Sequence, residues 1–397
     1  MLIGIIGKPS SGKTTILNAL CMTDAKMGNY PFTTIEPNRG VAYVRVKCPC
    51  STLKENCNPR SGVCIDGTRY VGVDILDVAG LVPGASEGKG MGNKFLDDLR
   101  RADLFIHVVD SSGTTDAEGN LTENYDIAED IDWLAKELTN WIVKILYNDW
   151  DRLAKKLESD RSKLAETIHD KLSGLGAKLS DIKRLLNSNN LLNQDPRKWT
   201  DDDKFKFAEQ LRLLLFPMII AANKMDMHNA EDNITKLKNK YGEFIIISTS
   251  GLAELTLRKA NETEIIQYFP GSNDFKIINN NHKQVKVLQA IKEKILQPRG
   301  STGVTNLLEI AVFELLEMIA VFPVEDGTHL TDHDGRILPD VFLVEKGTTA
   351  KEFAGKIHSD LAKSFIHGIL PLNSNKRIAA NYELENEDVV KIVSAAK

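Results

Sequence analysis

The chain has 397 residues, with 50 basic and 55 acidic side chains and a formal net charge of −5 at pH 7. This length predicts two to three domains, each large enough to bury its own core. The slight acidity excludes a uniformly basic surface, so we expect no specific DNA binding, and any RNA contact would come from local patches. The sequence contains no run of 18 apolar residues and no basic-then-apolar leader. We therefore expect a cytoplasmic protein that makes no membrane contact.

The first predicted elements are a strand, a glycine-bounded loop and a helix. The apolar run 2–6 leads into GKPSSGKT at positions 7–14, which fits the phosphate-loop pattern G-x-x-x-x-G-K-S/T at every fixed position. Glycines let the backbone wrap closely, so that N–H groups and the helix N-terminus face the phosphates of a nucleotide. We expect Lys13 to reach the β- and γ-phosphates and Thr14 to bind Mg²⁺. The predicted nucleotide-binding residues here are Gly7, Pro9, Ser10, Ser11, Gly12, Lys13, Thr14 and Thr15.

The next segment of interest is NYPFTTIEPN at positions 29–38. Its place after the phosphate loop predicts the first switch, in which a threonine hydroxyl closes on Mg²⁺ and the γ-phosphate when a triphosphate is bound. Of its two threonines we favour Thr34 over Thr33 as this catalytic and metal-binding residue.

A second phosphate-side motif follows the alternating, β-branched run 70–76, which predicts a strand. That strand delivers Asp77 at its carboxyl end, where ligands bind in open α/β sheets. We expect Asp77 to hold Mg²⁺ through water and the N–H of Gly80 to approach the γ-phosphate. The glycine-rich stretch 81–92 then predicts a second switch.

The base-reading motif follows another predicted strand, at 216–222. Asn223, Lys224 and Asp226 fit N-K-x-D, and the Asp226 carboxylate can accept hydrogen bonds from both guanine N1–H and the exocyclic amine, a pair that adenine does not offer. A site built to bond a specific group rejects analogues that lack it by up to ~10⁴–10⁵-fold. We expect Asn223 to brace the loop and Lys224 to cover the base. The residues expected to support the base from the next strand end are Ser248, Thr249 and Ser250.

Four of the five cysteines cluster in CPCSTLKENCNPRSGVC, namely Cys48, Cys50, Cys57 and Cys64. In a cytosolic protein such a cluster favours a metal over disulfides. The spacing C-x-C-x₆-C-x₆-C nevertheless differs from paired C-x₂-C knuckles. Three interpretations stay open: a Zn²⁺ site, a hairpin with reduced cysteines, and a disulfide pair.

The chain organisation indicates an insertion within the nucleotide-binding core. The predicted strand 102–110 and Asn223 are too far apart for one βαβ unit, which needs about 30 residues. Between Leu146 and Leu186 apolar residues recur in a 4-3-4 spacing that is typical of a coiled-coil seam. Gly174 and Gly176 predict a hairpin tip, and Thr200 predicts the cap of a further helix that ends at Leu215.

The C-terminal part has a different pattern. After Ser250 we expect helices up to about Ala320, and from position 321 a set of short strands around one helix, capped near Thr349, with a final strand at 389–393. This pattern predicts a small ubiquitin-like β-grasp domain. The predicted domains are a core with its first part at 1–125 and its second part at 216–320, a helical insertion at 126–215, and the β-grasp domain at 321–397.

Taken together, the chain resembles the Obg-related GTPases, and within them the YchF/OLA group. The residues that carry the resemblance are 30–38, 77–85, the stretch GKGMGNKFL at 88–96, and the C-terminal segment. The resemblance implies an α/β fold with a P-loop NTPase core, a coiled-coil-like helical insertion and a C-terminal TGS domain. It also implies association with the ribosome.

Two positions matter for the activity that this resemblance implies. Leu81 stands where many GTPases place a water-orienting glutamine, as it does in the family, so intrinsic hydrolysis should be slow. Many YchF-like proteins carry glutamate at the last position of the base-reading motif and prefer ATP, whereas this chain has Asp226. Asp226 favours guanine over adenine, and ATP stays open as an alternative nucleotide.

The primary hypothesis is a Mg²⁺-dependent switch that hydrolyses GTP to GDP and phosphate in the context of translation, with the ribosome or RNA as partner. One alternative is a YchF-type ATPase. Another is a nucleotide-gated scaffold that binds ribosome or RNA and for which hydrolysis is incidental.

Overall fold

The structure is a computed structural model that describes residues 1–21, 39–53, 56–78, 99–157, 163–280 and 283–395. Its strands, in chain order, are β1 (Leu2–Ile6), β2 (Arg39–Lys47), β3 (Val63–Ile65), β4 (Thr68–Asp77), β5 (Leu104–Asp110), β6 (Met218–Asn223), β7 (Ile245–Ser248), β8 (Ile266–Tyr268), β9 (Phe275–Ile277), β10 (Met318–Val324), β11 (Phe342–Glu345), β12 (Phe365–Leu370), β13 (Lys376–Ile378) and β14 (Val389–Ser394).

The α-helices follow in the same way. They are α1 (Lys13–Cys21), α2 (Ala128–Tyr147), α3 (Trp150–Leu157), α4 (Leu164–Leu172), α5 (Leu179–Ser188), α6 (Asp201–Leu215), α7 (Ala230–Lys240), α8 (Gly251–Glu262), α9 (Val285–Ile291), α10 (Gln297–Arg299), α11 (Val304–Ile310), α12 (Ala350–Ile357) and α13 (Ser359–Lys363). Among the described residues, no helix has both the length and the apolar composition to cross a membrane.

The chain divides into two compact units. The first comprises Met1–Leu17 and Ile75–Leu252, and the second comprises Asn18–Asp74 and Ala253–Lys397. The candidate nucleotide-binding residues that the structure describes belong to the first unit, and the four clustered cysteines belong to the second.

The first unit is built on strands in the order β1-β5-β6-β7, and the end of β4, from Ile75, also belongs to it. The pairs β1–β5, β5–β6 and β6–β7 are parallel. Strand β5 is buried along its whole length, as expected for a central strand of apolar and β-branched residues. Because parallel strands end at the same edge of the sheet, the loops after β1, β5 and β6 lie together there. This is the P-loop NTPase architecture that the sequence predicts.

The helical insertion begins with α2, and its helices enclose an aromatic core. Trp150 stacks near Trp199 with 5.0 Å between ring centroids, and Trp199 lies edge-on to Phe207 at 5.9 Å. The predicted apolar repeat identifies most of the buried positions, although Leu153 is only half-buried and Ala154 takes the interior place. The helices run for 8 to 20 residues and fold around one core, so the repeat builds a compact bundle instead of a long coiled coil.

Two local signals of the insertion are confirmed. The predicted hairpin tip lies between α4 and α5, where Gly176 adopts a positive φ of 78°. The predicted cap of α6 is a full capping box, in which Thr200 Oγ1 accepts from the Asp203 N–H and the Asp203 carboxylate accepts from the Thr200 N–H.

The C-terminal part of the second unit is a five-stranded sheet with the order β11-β10-β14-β12-β13. Its central pair, β10–β14, is parallel, and the other pairs are antiparallel. Helix α12 starts at a Thr349–Glu352 capping box and buries Phe353 against the sheet. A sheet with a parallel central pair and one packed helix is the predicted β-grasp arrangement.

The expectation of helices from Ser250 to Ala320 was wrong in two places. Residues 266–277 form the antiparallel pair β8–β9 around a turn in which Gly271 has a φ of 81°, a conformation that interrupts a helix. Strand β10 already begins at Met318, because the β-branched and aromatic run that follows pairs with β11 and β14.

Candidate nucleotide-binding site

The phosphate loop connects β1 to α1 and needs glycine at both of its ends. Gly7 and Gly12 have positive φ angles of 146° and 97°. A Cβ atom at Gly7 would collide with the Val108 carbonyl oxygen, and one at Gly12 would collide with the Asn223 amide nitrogen. The two glycines therefore let the loop lie directly against β5 and the loop after β6, as the motif predicts.

Lys13 is the first residue of α1, and its side chain crosses the loop. Its Nζ donates a hydrogen bond to the Lys8 carbonyl oxygen at 2.7 Å. Burial lowers the pKa of Lys13, and the nearby charge of Asp77 acts in the opposite direction. The ammonium group is thus held within the loop, where anionic phosphate oxygens can replace its backbone acceptor.

Thr14 and Asp77 come together beside Lys13. Burial raises the pKa of Asp77, while the Lys13 charge and a hydrogen bond from Thr14 lower it. The hydroxyl and the carboxylate present oxygen donors to one point, which is the kind of donor set that Mg²⁺ prefers. These two predicted metal ligands therefore fit such an ion.

The base-reading loop after β6 is joined to the phosphate loop by Asn223. Its Nδ2 donates to the Ser11 carbonyl oxygen at 3.0 Å, and its Oδ1 accepts from the Gly251 N–H at 3.0 Å. Thr249 supports the same loop, because its carbonyl oxygen accepts from the Met225 N–H at 3.0 Å. The buried Asn223 amide therefore holds the phosphate loop, the motif loop and the loop after β7 in one arrangement.

Lys224 has a positive φ of 62°, and its Nζ lies 2.7 Å from Asp110 Oδ2. Asp110 is the last residue of β5 and is fully buried. It also accepts hydrogen bonds from the Ser112 hydroxyl at 2.6 Å and the Thr115 hydroxyl at 2.7 Å. Burial opposes ionisation, but these bonds and the Lys224 charge leave the pKa of Asp110 below its ordinary value. Asp110 therefore anchors Lys224, a role that sequence reasoning missed.

Asp226 is exposed, and its Oδ1 accepts a hydrogen bond from the Ser250 hydroxyl at 2.7 Å. Ser250 stands in the loop after β7, directly before α8. The two loops at this edge thus present a carboxylate whose orientation is set by a neighbouring hydroxyl. This arrangement leaves the carboxylate accessible to a base.

Two further charged or titratable residues beneath the loop were missed from the sequence. Lys8 is buried and pairs with Asp130 of α2 at 3.0 Å. His107 of β5 is buried, and burial together with the Lys13 and Lys8 charges lowers its pKa to about 3. A lysine at a variable position of the motif and a histidine within a strand carry no distinctive sequence signal.

Other predicted residues lie elsewhere. Thr34, Gly80 and Leu81 fall outside the described residues, so their roles stay predictions.

The sulfur atoms of the four clustered cysteines do come together in the second unit, all within 4.8 Å of one another. The described cysteines are all free thiols, and the disulfide interpretation is not supported by this geometry.

The fold and this site define a P-loop nucleotide-binding protein of the GTPase class. Three family models match the chain: a 50S ribosome-binding GTPase over residues 2–147, the G4 motif-containing domain of the YGR210-like Obg-like GTPases over residues 221–326, and a TGS domain over residues 329–394. The chain belongs to the Obg-like GTPases of the YchF group, as its resemblance predicts.

Relatives match along nearly the whole chain. An uncharacterized GTP-binding protein of Methanocaldococcus jannaschii is 48% identical, with 100% of both chains covered. The ribosome-binding ATPase YchF of Mycoplasma genitalium is 27% identical, over 91% of this chain and 86% of its own length. The crystal structure of a GTP-binding protein from Pyrococcus horikoshii has 37% identity and a TM-score of 0.79, again covering 100% of both chains.

Proposed function

We propose that this protein is a slow, Mg²⁺-dependent switch that hydrolyses GTP to GDP and phosphate and associates with the ribosome. The observation that carries the proposal is the position of Asn223, which bonds the phosphate loop on one side and the loop of Ser250 on the other. Through it, the carboxylate of Asp226 stands at a fixed place relative to the phosphate cradle. One nucleotide can then contact the phosphate loop with its phosphates and the Asp226 carboxylate with its base.

The phosphate side of the mechanism rests on Lys13 and the loop backbone. Phosphoryl transfer proceeds mainly by positioning and by stabilising the charge on the transferred group. The Lys13 ammonium is partly desolvated within the loop, so its charge would act more strongly on β- and γ-phosphate oxygens than it would in water. The backbone N–H groups at the start of α1 add to this field.

Mg²⁺ would be held by Thr14 directly and by Asp77 through water, with Thr34 joining from the first switch. The ion would supply positive charge that offsets the charge of the phosphate groups. The Thr14 hydroxyl bonds the Asp77 carboxylate, which orients both oxygens. The proposed role of Gly80 is to bring a backbone N–H to the γ-phosphate.

The base side distinguishes GTP from ATP. Asp226 can accept from two guanine donors, whereas the amino group of adenine offers it no matching pair. The competing proposal is a YchF-type ATPase, and it is favoured by the name of the relative from Mycoplasma genitalium, a ribosome-binding ATPase. We give priority to GTP because the residue that reads the base is present as aspartate and is accessible.

The ribosome is proposed as partner because one matching family model is described as a 50S ribosome-binding GTPase and a relative is named a ribosome-binding ATPase. With this partner, the location that we propose is the cytoplasm. A scaffold that binds ribosome or RNA, with incidental hydrolysis, is the alternative within the same context. The two differ in whether partner affinity depends on the bound nucleotide.

Parallel calorimetric titrations with GTP, GDP and ATP in the presence of Mg²⁺ test the proposal. We expect GTP and GDP to bind more tightly than ATP, because Asp226 accepts both guanine donors. The control protein for these titrations is the variant Asp232→Ala, which lacks an exposed acidic residue on α7. Equal affinities of the wild type for GTP and ATP would contradict the guanine assignment and favour the ATPase.

A further inference from the structure

The four-cysteine cluster lies in the second unit, around the hairpin β3–β4. Cys48 follows β2 and caps the short 3₁₀ turn Pro49–Thr52, whose second residue is Cys50. Cys57 lies in the irregular segment that follows, and Cys64 lies on β3. Residues distant by 16 positions along the chain are thus gathered at one point by a turn, a loop and a strand.

Two of the sulfur separations match the edges of a metal-binding tetrahedron, and all four sulfurs lie within 4.8 Å of one another. The Sγ atoms of Cys48 and Cys57 are 3.8 Å apart, and those of Cys50 and Cys64 are 3.5 Å apart. A Zn–S bond of about 2.3 Å gives sulfur–sulfur edges of about 3.8 Å in a regular tetrahedron. A disulfide would need about 2.05 Å. The four sulfurs converge together, which neither a pair of disulfides nor a simple reduced hairpin requires.

The hairpin supplies a frame for the cluster. The Cys48 N–H donates to the Gly67 carbonyl oxygen at 2.8 Å, which fixes the first ligand against the hairpin turn. Arg69 pairs directly with Cys64 in the β3–β4 register, so the two side chains share a face of the hairpin. Arg69 is fully buried, and among the described residues its Nε and Nη1 have no hydrogen-bond partner. Its Nη2 donates to the Leu338 carbonyl oxygen, which ties this part of the hairpin to the TGS domain.

We propose that Cys48, Cys50, Cys57 and Cys64 bind one zinc ion, and that this ion holds the loop through which the hairpin contacts the TGS domain. Tetrahedral coordination by four sulfurs is typical of zinc and also of iron. We commit to zinc because four closed thiolate positions form a structural Zn²⁺ site without redox chemistry.

The second part of the proposal rests on what the loop between Cys57 and Cys64 touches. The Asn58 N–H donates to the Ile337 carbonyl oxygen at 2.8 Å, and the Arg60 N–H donates to the Pro339 carbonyl oxygen at 3.0 Å. The Arg60 guanidinium also bonds Asp332 at 2.5 Å and Asp340 at 3.1 Å. All of these contacts are made by the segment between Cys57 and Cys64, and both of these end residues are proposed zinc ligands.

The segment has few other constraints of its own. Residues 56–62 form no helix or strand, so their conformation depends on the cysteines at the ends and on the bonds to residues 332–340. Metal coordination commonly supplies the stability that such small irregular segments lack. Zinc would thus fix the geometry that Arg60 needs to reach both aspartates.

Metal analysis of the full-length protein, purified without chelator under reducing conditions, tests the first part. We expect about one zinc per chain, falling to below about a tenth in Cys50→Ser/Cys64→Ser. The matched control is Cys21→Ala, which removes a half-buried thiol at the end of α1, outside the cluster; this variant should keep its zinc. Cobalt substitution should give the intense visible spectrum of tetrahedral thiolate coordination. Chains without metal, chains with iron, or disulfides found by mass spectrometry would each overturn the zinc assignment.

Hydrogen exchange on the wild-type protein, before and after zinc removal by a chelator, tests the second part. We expect faster exchange in residues 56–62 and 330–341 and unchanged exchange in β1 and β5. Readdition of Zn²⁺ should restore protection. Unchanged exchange in 330–341 would overturn the proposed link to the TGS domain. Neither measurement depends on GTP binding, so failure here and failure of the proposed GTPase activity are distinguishable.

Discussion

Lys8 of the phosphate loop forms a buried ion pair with Asp130 of α2, with 3.0 Å between Nζ and Oδ2 and exposures of 3% and 4%. The same Nζ donates to the Thr115 carbonyl oxygen at 2.7 Å and lies 3.9 Å from the centre of the Tyr125 ring. Asp130 belongs to the first helix of the insertion. The pair therefore links the phosphate loop to the inserted domain through a buried charged contact.

We expect Lys8→Met to destabilise the protein by about 3–5 kcal/mol, because Asp130 would be left as a buried charge without its counter-ion. The double variant Lys8→Met/Asp130→Leu should cost much less than the sum of the single changes. Urea unfolding at pH 7.5, analysed as a double-mutant cycle, measures this coupling.

The same helix offers a matched control for that cycle. Asp132 of α2 pairs with Lys240 at 2.8 Å, but these side chains are 57% and 50% exposed. Exposed pairs contribute about 0–1 kcal/mol, so Lys240→Met should change stability little. If Lys8→Met and Lys240→Met lower the free energy of unfolding equally, the buried pair contributes no more to stability than the exposed pair, and the prediction is wrong.

The motifs of the chain predict which loops form the site because each motif follows an apolar strand that is recognisable from its residues. Gly12 and Asn223 illustrate this success, since the close approach that explains the glycine is to the very asparagine of the second motif. The partners that align those motifs were not predictable. Asp110 and Asp130 resemble any acidic residue at the end of a strand or in the first turn of a helix, and only the tertiary fold buries them beside Lys224 and Lys8.

The cysteine cluster shows a different limit of sequence reasoning. Its spacing matches no standard zinc knuckle, so the residues alone left three interpretations open. The fold resolves part of this question because the β3–β4 hairpin returns Cys64 to the turn that contains Cys50. Convergence of ligands from a turn, a loop and a strand depends on register, which spacing does not encode.

For the base-reading loop we expect Asp226→Asn to weaken GTP binding by ~10- to 150-fold, which corresponds to about 1.5–3 kcal/mol for hydrogen bonds to a charged group. The amide should instead favour xanthosine triphosphate, whose 2-oxo group accepts where guanine donates. Calorimetric titration of the wild type and of Asp226→Asn with GTP and with xanthosine triphosphate measures this change in nucleotide preference.

Ser250→Ala is the control for this change, because it removes the hydroxyl that bonds Asp226 and keeps the carboxylate. Loss of one ordinary hydrogen bond should change GTP affinity by less than ~10-fold. An Asp226→Asn variant that binds GTP as tightly as the wild type would show that another residue reads the base.

Intrinsic turnover should be slow, because Leu81 offers no hydrogen bond to the attacking water. Typical enzymes turn over at ~10 s⁻¹, whereas an unassisted GTPase turns over at ~10⁻⁴ s⁻¹. Phosphate release with saturating GTP and Mg²⁺ measures the rate, and a value above ~1 s⁻¹ without a partner would mean that another residue positions the water.

Lys13→Ala should abolish tight GTP binding, while Lys206→Ala, which removes an exposed lysine of α6, should not.

The buried histidine under the phosphate loop should give the protein a specific acid sensitivity. Burial, with the charges of Lys13 and Lys8, lowers the pKa of His107 from 6.5 to about 3. The unfolded chain therefore binds an extra proton between those values, and stability is lost as pH falls below about 6.5. From pH 7 to pH 5 this group should cost about 2 kcal/mol.

Urea unfolding across that pH range compares the wild type with His107→Phe, which keeps a ring and removes the titration. We expect the variant to lose about 2 kcal/mol less than the wild type on going from pH 7 to pH 5. His228→Gln, at an exposed position, controls for general effects of removing a histidine. Parallel pH profiles of the wild type and His107→Phe would refute the assignment.

The last prediction concerns the ribosome and separates a switch from a scaffold. A ligand shifts an equilibrium only through different affinities for its two states. If the nucleotide changes the phosphate loop, the Lys8–Asp130 pair gives α2 and the insertion a direct contact with that change. Ribosome affinity should then differ between the forms with a GTP analogue and with GDP, as measured by co-sedimentation. By reciprocity, ribosomes should change nucleotide affinity by the same factor. Lys8→Met/Asp130→Leu should reduce the difference while it retains nucleotide binding. Identical ribosome affinity in the nucleotide-free, GDP and GTP-analogue forms would eliminate the switch and leave the scaffold.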